Sequence, residues 1–139
     1  MQLETVLESL EILNELKKRT LQELAENPVL RGAVLWYLYT AVQGCIDLAL
    51  KAISRLGLRT PESYADAFRV LAEAGIIPDS LASSLVAMTR FRNILAHGYV
   101  RIDFEKIYDI LHHSLGDIRS FLSTLVAKLA ELGVELEEL

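Results

Sequence analysis

From Leu3 onward the apolar residues recur at intervals of three and four. Leu3, Val6, Leu7, Leu10, Leu13 and Leu16 form one stripe, and Glu4, Glu8, Glu11 and Glu15 lie opposite it. That spacing predicts an amphipathic helix with one side on a core. The pattern runs to about Glu26, where the triplet ENP supplies an N-cap, Asn27, and a first-turn proline, Pro28, for a second helix. This second helix reaches about Leu56 and stops at Gly57, a residue suited to the left-handed C-cap. Thr60 and Pro61 repeat the start signal and predict a short third helix from about Pro61 to Ala74, before Gly75.

The segment IIPDS opens a fourth helix, in which Leu81, Leu85, Met88 and Leu95 share a broad face with Phe91 and Ile94; Gly98 marks its stop. Asp103 caps a fifth, whose apolar positions Ile107, Ile110, Leu111, Ile118, Leu122 and Leu125 continue towards Gly133. Almost no alternating, β-branched segment competes with these helices. The connections are short, so successive helices should pack antiparallel. The expected fold is all-α, an up-and-down bundle of four long helices plus one short helix, in a single domain over residues 1–139 without repeat or linker.

Composition supports a packed chain. With 139 residues, 52% hydrophobic and 24% charged, folding can remove roughly two thirds of the unfolded surface from water without staples. The longest stretch free of formal charge, from Gly32 to Ile46, falls short of the ~20 apolar residues of a membrane span. The start, MQLETVLESLEIL, has no basic segment ahead of an apolar block. Cys45, as the single cysteine, makes no internal disulfide and by itself no zinc site. A cytoplasmic protein with no membrane contact, no metal and no cofactor is the expectation.

The net charge of -5 argues against a surface that binds nucleic acid through overall positive charge. The exception is residues 90–101, RFRNILAHGYVR, where Arg90, Arg92 and Arg101 occur with no acid among them. Their core is Arg92, four residues, His97, one residue, Tyr99. On a helix, positions five apart differ by ~140° and positions four apart by ~40°. Asn93 therefore shares a face with His97, whereas Arg92 and His97 converge only if the helix ends at His97, or if a two-fold axis sets each beside the other chain's pair.

Chemically, the pair suits a phosphodiester. A guanidinium grips two phosphate oxygens and stays charged, while an imidazole takes and gives protons near neutrality. RNA carries its own nucleophile in the 2′-hydroxyl, so a base and a cation can cleave it to a 2′,3′-cyclic phosphate and a 5′-hydroxyl. On spacing alone, such residues near a helix end are more often a cationic cap, a satisfied histidine and a packed ring.

RNILAHGY with the following VRIDFEKIYDIL resembles the Arg-X4-His-X-Tyr signature of the HepT-like toxins within the HEPN superfamily. The upstream segments YLYTAVQGCIDLALKAI and ESYADAFRVLAEAGIIPDSLASSLVAMTRFRN are similar to that family's second to fourth helices, so the resemblance spans essentially the whole chain. It implies an all-α homodimer with the motif at the dimer interface, and a metal-independent RNase acting as the toxin of a type VII-like toxin–antitoxin pair. Its implied partner is a minimal nucleotidyltransferase antitoxin that adds AMP to the motif tyrosine. Carried over by position, Arg92 and His97 are the catalytic pair and Tyr99 the AMP acceptor.

Among the neighbours, Asn93 can orient the imidazole. Asp47 either pairs with Lys51 four residues on or faces the motif and supports Arg92 or His97. Arg90 and Arg101 can extend a phosphate track for single-stranded RNA, with Tyr99 or Phe91 as a stacking surface, although the spacing places Phe91 in the core. Trp36, Tyr37 and Tyr39 read as core or dimer contacts, and His112 and His113, adjacent on one helix, have no assigned role. A second functional reading is a non-catalytic module that docks a nucleotidyltransferase or presents a substrate to it.

Overall fold

The computed structural model describes residues 2–97 and 103–139, with backbone alone for His97 and Glu138. The described residues form α1 (Gln2–Leu16), α2 (Leu21–Glu26), α3 (Pro28–Leu56), α4 (Tyr64–Glu73), α5 (Asp79–His97), α6 (Phe104–His113) and α7 (Leu115–Glu131), followed by a short 3₁₀ turn at Leu136–Glu138. No strand occurs among them. The expected all-α bundle is present, with two of its long segments each divided in two.

The local signals explain most boundaries. Asn27 Oδ1 accepts from the backbone N–H groups of Val29 at 3.0 Å and Leu30 at 3.2 Å, and Pro28 occupies the first helical position of α3. At the other end Gly57 has φ 66°. The N–H groups of Gly57 and Leu58 donate back to the carbonyls of Ser54 and Ile53, closing the helix. Asp103 caps α6 by accepting from the Glu105 N–H.

Three boundaries differ from expectation. The first apolar stripe breaks after Leu16 because Thr20 and Glu23 form a capping arrangement, the Thr20 hydroxyl accepting from the Glu23 N–H at 3.1 Å and starting α2 afresh. The fifth segment breaks at Ser114, with Gly116 just behind it, where helix propensity is lowest. The short helix starts at Tyr64 rather than Pro61. Ser63 is its N-cap, accepting from the Asp66 N–H at 3.1 Å, and the loop before it is held by a charge network. Arg59 donates to both oxygens of Asp66 at 2.8 and 3.1 Å and to both oxygens of Glu73 at 2.9 Å, while Asp66 also accepts from the Glu62 N–H at 2.9 Å.

The core is one continuous apolar cluster with α3 at its centre. By length and composition α3, at 29 residues, is able to cross a membrane, yet half of its most apolar window is buried inside this protein. It touches every other α-helix and serves as the core helix. Small buried positions, Ala41, Gly44, Cys45, Ala49 and Ala52, allow its neighbours to approach. α1 comes closest: a Cβ built on Gly44 would lie 2.2 Å from Val6 Cγ2. Phe68 of α4 meets Phe121 of α7 edge-on, with centroids 5.4 Å apart. Burial pushes the Cys45 thiol up to about 12, so it stays protonated and packs as a small apolar group.

Two outcomes follow from this packing. Gly44→Ala forces Val6 to move and should destabilise the fold by about 1–3 kcal/mol in denaturant unfolding; Val6→Ala in the same chain should recover part of that loss. The second concerns acid. Hydrogen bonds from Arg59, then from the Glu62 N–H, hold the Asp66 carboxyl down at about 2, below the ~3.9 of an unfolded aspartate. A depressed carboxyl stabilises the fold fully above its unfolded value and loses that contribution as pH falls through the folded one. Urea midpoints from pH 5 to pH 2 should fall more steeply for the wild type than for Asp66→Asn; parallel profiles would show the network has no weight.

Candidate functional site

α5 carries Arg90, Arg92 and Asn93 and is described as far as His97; the expected stop at Gly98 lies outside the described residues. The Arg92 guanidinium lies where α5 meets α3 and the first turn of α4. Its Cζ is 5.1 Å from the centre of the Tyr39 ring and 5.6 Å from that of Tyr64, both within cation–π reach. Nη2 donates to the Tyr39 hydroxyl at 3.3 Å, and Nη1 donates to the Asn93 side-chain oxygen at 3.0 Å. Nε is buried and has no partner among the described residues.

The contrast with Arg59 defines what Arg92 can do. Arg59 is surrounded by carboxylates, chiefly Glu73 and then Asp66, which push its pKa further up and neutralise it. Arg92 pairs with no acid among the described residues. Two aromatic rings and one amide fix its position without cancelling its charge. Of the five guanidinium N–H donors, two are engaged by described residues. What results is a pre-placed cation with charge and donors left for an anionic ligand.

Trp36 extends the cluster. Its ring stacks on Tyr39, with centroids 6.0 Å apart and planes 23° apart. Trp36 is 60% exposed and Tyr64 46%. Of the α3 aromatics expected as core or dimer contacts, Tyr37 packs against the core, Trp36 lies outside the core in solvent and Tyr39 belongs to the Arg92 site. Phe91 does pack against the core as expected.

The remaining candidates separate. Asn93 is exposed and turns its oxygen to Arg92. Asp47 takes neither expected role. Its carboxylate accepts from the side-chain amides of Gln43 at 3.0 Å and Gln2 at 3.3 Å, while Lys51 donates to Gln2. Eight residues beyond Tyr39, it sits ~12 Å further along α3, so the junction with α1 engages it instead of Arg92. Arg90 is exposed and lines a cleft between α4 and α5 with Arg69, Glu73 and Asp79. Two positions from Arg92, it projects ~200° away around α5. The His97 side chain, Gly98, Tyr99 and Arg101 lie outside the described residues. His112 packs on Tyr108, with centroids 4.3 Å apart, and Tyr108 donates to the Arg19 carbonyl.

Sequence reasoning missed Tyr39 and Tyr64 as partners of Arg92. Nothing local marks them, since they stand 53 and 28 positions away in the chain and only the packing of three helices joins them.

The comparisons with known proteins agree on one assignment. A model of the ribonuclease HepT-like family matches residues 6–125. The chain belongs to the HepT-like ribonuclease family. The matched span contains Arg92, His97 and Tyr99. Among relatives, an mRNA nuclease HepT of Shewanella oneidensis is 28% identical over 99 residues, covering 71% of this chain and 74% of that protein. A candidate RNase of Archaeoglobus fulgidus is 26% identical over 137 residues, or 99% of both chains. Among solved structures, a tri-AMPylated Shewanella oneidensis HEPN toxin in complex with MNT antitoxin superposes with a TM-score of 0.72 at 24% identity, covering 88% of this chain and 97% of that one. That superposition confirms the HEPN-type fold of this HepT-like chain.

If the Arg92 charge is held for a ligand and not for the fold, removing it costs little stability. Arg92→Leu should change the unfolding free energy by less than about 1 kcal/mol in denaturant titrations; a loss of several kcal/mol would mean that the guanidinium is structural.

Proposed function

We propose that this chain is the toxin of a type VII-like toxin–antitoxin pair, a metal-independent endoribonuclease working in the cytoplasm as a homodimer. The observation that carries the reading is the un-neutralised Arg92 guanidinium, held by Tyr39, Tyr64 and Asn93 at the head of Arg-X4-His-X-Tyr. Membership of a ribonuclease family supports it.

In this reading Arg92 grips the non-bridging oxygens of the scissile phosphate. His97 accepts the proton of the 2′-hydroxyl; the 2′-oxygen attacks phosphorus, and the bond from phosphorus to O5′ breaks. Protonation of O5′ by an imidazolium yields a 5′-hydroxyl and leaves a 2′,3′-cyclic phosphate. The ~140° between positions 92 and 97 on a regular helix is the reason for the two-fold partner: an isologous contact at the end of α5 places the Arg92 and His97 of one protomer beside those of the other. Asn93 steadies Arg92 directly. Arg101, and Arg90 from the other side of α5, contact phosphates beyond the scissile one. Asp47 has no part in the site.

The fold neighbour is a tri-AMPylated toxin in complex with an MNT antitoxin, which supports a minimal nucleotidyltransferase as the partner here. AMP added to Tyr99, two residues from His97, puts bulk and negative charge where the substrate phosphate binds. The net charge of -5 favours a second reading, a non-catalytic module that binds a nucleotidyltransferase.

Total cellular RNA incubated with the purified protein in EDTA separates the two. The nuclease reading expects cleavage that persists without metal and leaves cyclic-phosphate ends, with a loss of ~10²- to 10⁴-fold in His97→Ala and of ~10²- to 10³-fold in Arg92→Ala. Intact RNA with the unmodified wild type would bring the binding module forward. Incubation with the nucleotidyltransferase and ATP should add AMP masses to the wild type and none to Tyr99→Phe, read by mass spectrometry.

A further inference from the structure

The aromatic residues around Arg92 form a run of contacts that holding one guanidinium does not require. Trp36 stacks on Tyr39, Tyr39 lies under Arg92, and Arg92 lies over Tyr64. Tyr39 alone supplies both a ring and a hydroxyl to Arg92. Trp36 and Tyr64 both lie outside the buried core, and both ends of the run face solvent. A tryptophan exposed to 60% of its surface is ordinary by itself, but here it continues a contiguous run of rings around a cation, and a contiguous exposed patch marks a contact site.

We infer that Trp36 and Tyr64 are base-stacking platforms for single-stranded RNA, one on each side of the phosphate held by Arg92. The inference rests on the nuclease reading, because a phosphate at Arg92 is what brings the neighbouring bases over the two rings. The chemistry favours RNA over an apolar partner. The run alternates rings with a cation that no acid pairs with among the described residues, and unstacked nucleotides are recognised in this way, with bases on aromatic faces and phosphate on arginine. Every base offers a π-face, so such a site holds single strands with little sequence preference and leaves duplexes, whose bases are already stacked, unbound.

Trp36 is the single tryptophan of the chain, so its emission reports on this ring alone. The full-length protein is titrated with a 2′-O-methyl oligoribonucleotide, which lacks the attacking hydroxyl and is not cleaved, and with an abasic oligonucleotide of equal length and charge. The expected result is quenching of Trp36 emission by the first and little by the second. Binding of a labelled 2′-O-methyl strand, followed by anisotropy, should weaken about tenfold in Trp36→Leu and in Tyr64→Leu. The dependence of affinity on salt should be unchanged, because neither variant removes a phosphate contact. Trp36→Phe should recover most of the lost affinity, which a general defect in folding would not allow; far-UV circular dichroism checks helix content in each variant.

RNA binding with unmoved emission and wild-type affinity in both leucine variants overturns the inference while leaving the nuclease reading standing. Emission that follows protein concentration and ignores RNA overturns it too, and makes the patch a contact between copies of the chain. Quenching and binding without cleavage of ordinary RNA supports the platforms and removes the nuclease reading. Absence of both binding and cleavage removes the two together.

Discussion

A helix of 29 residues with apolar groups on most of its circumference has to be covered on most sides, and α3 imposes that requirement on the rest of the chain. α1 lies along one side, close enough that Gly44 has no room for a side chain against Val6. α4, α5 and α7 take other sides, joined by the Phe68–Phe121 contact and by the continuous apolar cluster. The cover is uneven. Burial is dense from Leu38 to Ile53, whereas Val29 and Trp36 near the start of α3 stay exposed. Arg92 docks at that less covered end, so the candidate site occupies the place where the bundle leaves its central helix partly open.

Two arginines show how one side chain serves opposite ends. Arg59 is engaged by Asp66 and Glu73, fastens the loop before α4, and has no charge to offer a ligand. Arg92 is oriented by the quadrupoles of two rings, the hydroxyl of one and a neutral amide, none of which cancels a positive charge. The first arrangement suits the fold; the second suits a phosphate. The shared geometry of α4 couples them, since the Arg59 network fixes the loop leading into the same first turn that presents Tyr64 to Arg92.

Much of the architecture was legible in the residues. The cap at Asn27–Pro28, the stop at Gly57, the cap at Asp103 and the apolar spacing of α1 and α5 all act within a turn or two, so their patterns stay local. The three misplaced boundaries were local as well, but a second signal competed: the Thr20–Glu23 cap interrupted an apolar stripe, Ser114 and Gly116 interrupted another, and the Arg59–Asp66 contact outweighed Thr60 and Pro61 as the start of α4. The motif at Arg92, Asn93, His97 and Tyr99 was readable as a spacing and as a resemblance, and the family assignment bears that resemblance out.

Residue types and their periods along the chain were enough to determine an all-α bundle, because helical periodicity and capping are short-range, while its family and the candidate positions at Arg92, His97 and Tyr99 were read from a resemblance of motif and flanking segments. Tertiary structure alone decided what surrounds those positions. That Tyr39 and Tyr64 hold Arg92, that Asp47 turns to Gln2 and Gln43, and that Trp36 faces solvent depend on how α1, α3, α4 and α5 pack. Contacts between side chains 28 to 53 positions apart leave no periodic trace, because the geometry that joins them belongs to the packed helices and to no single one of them.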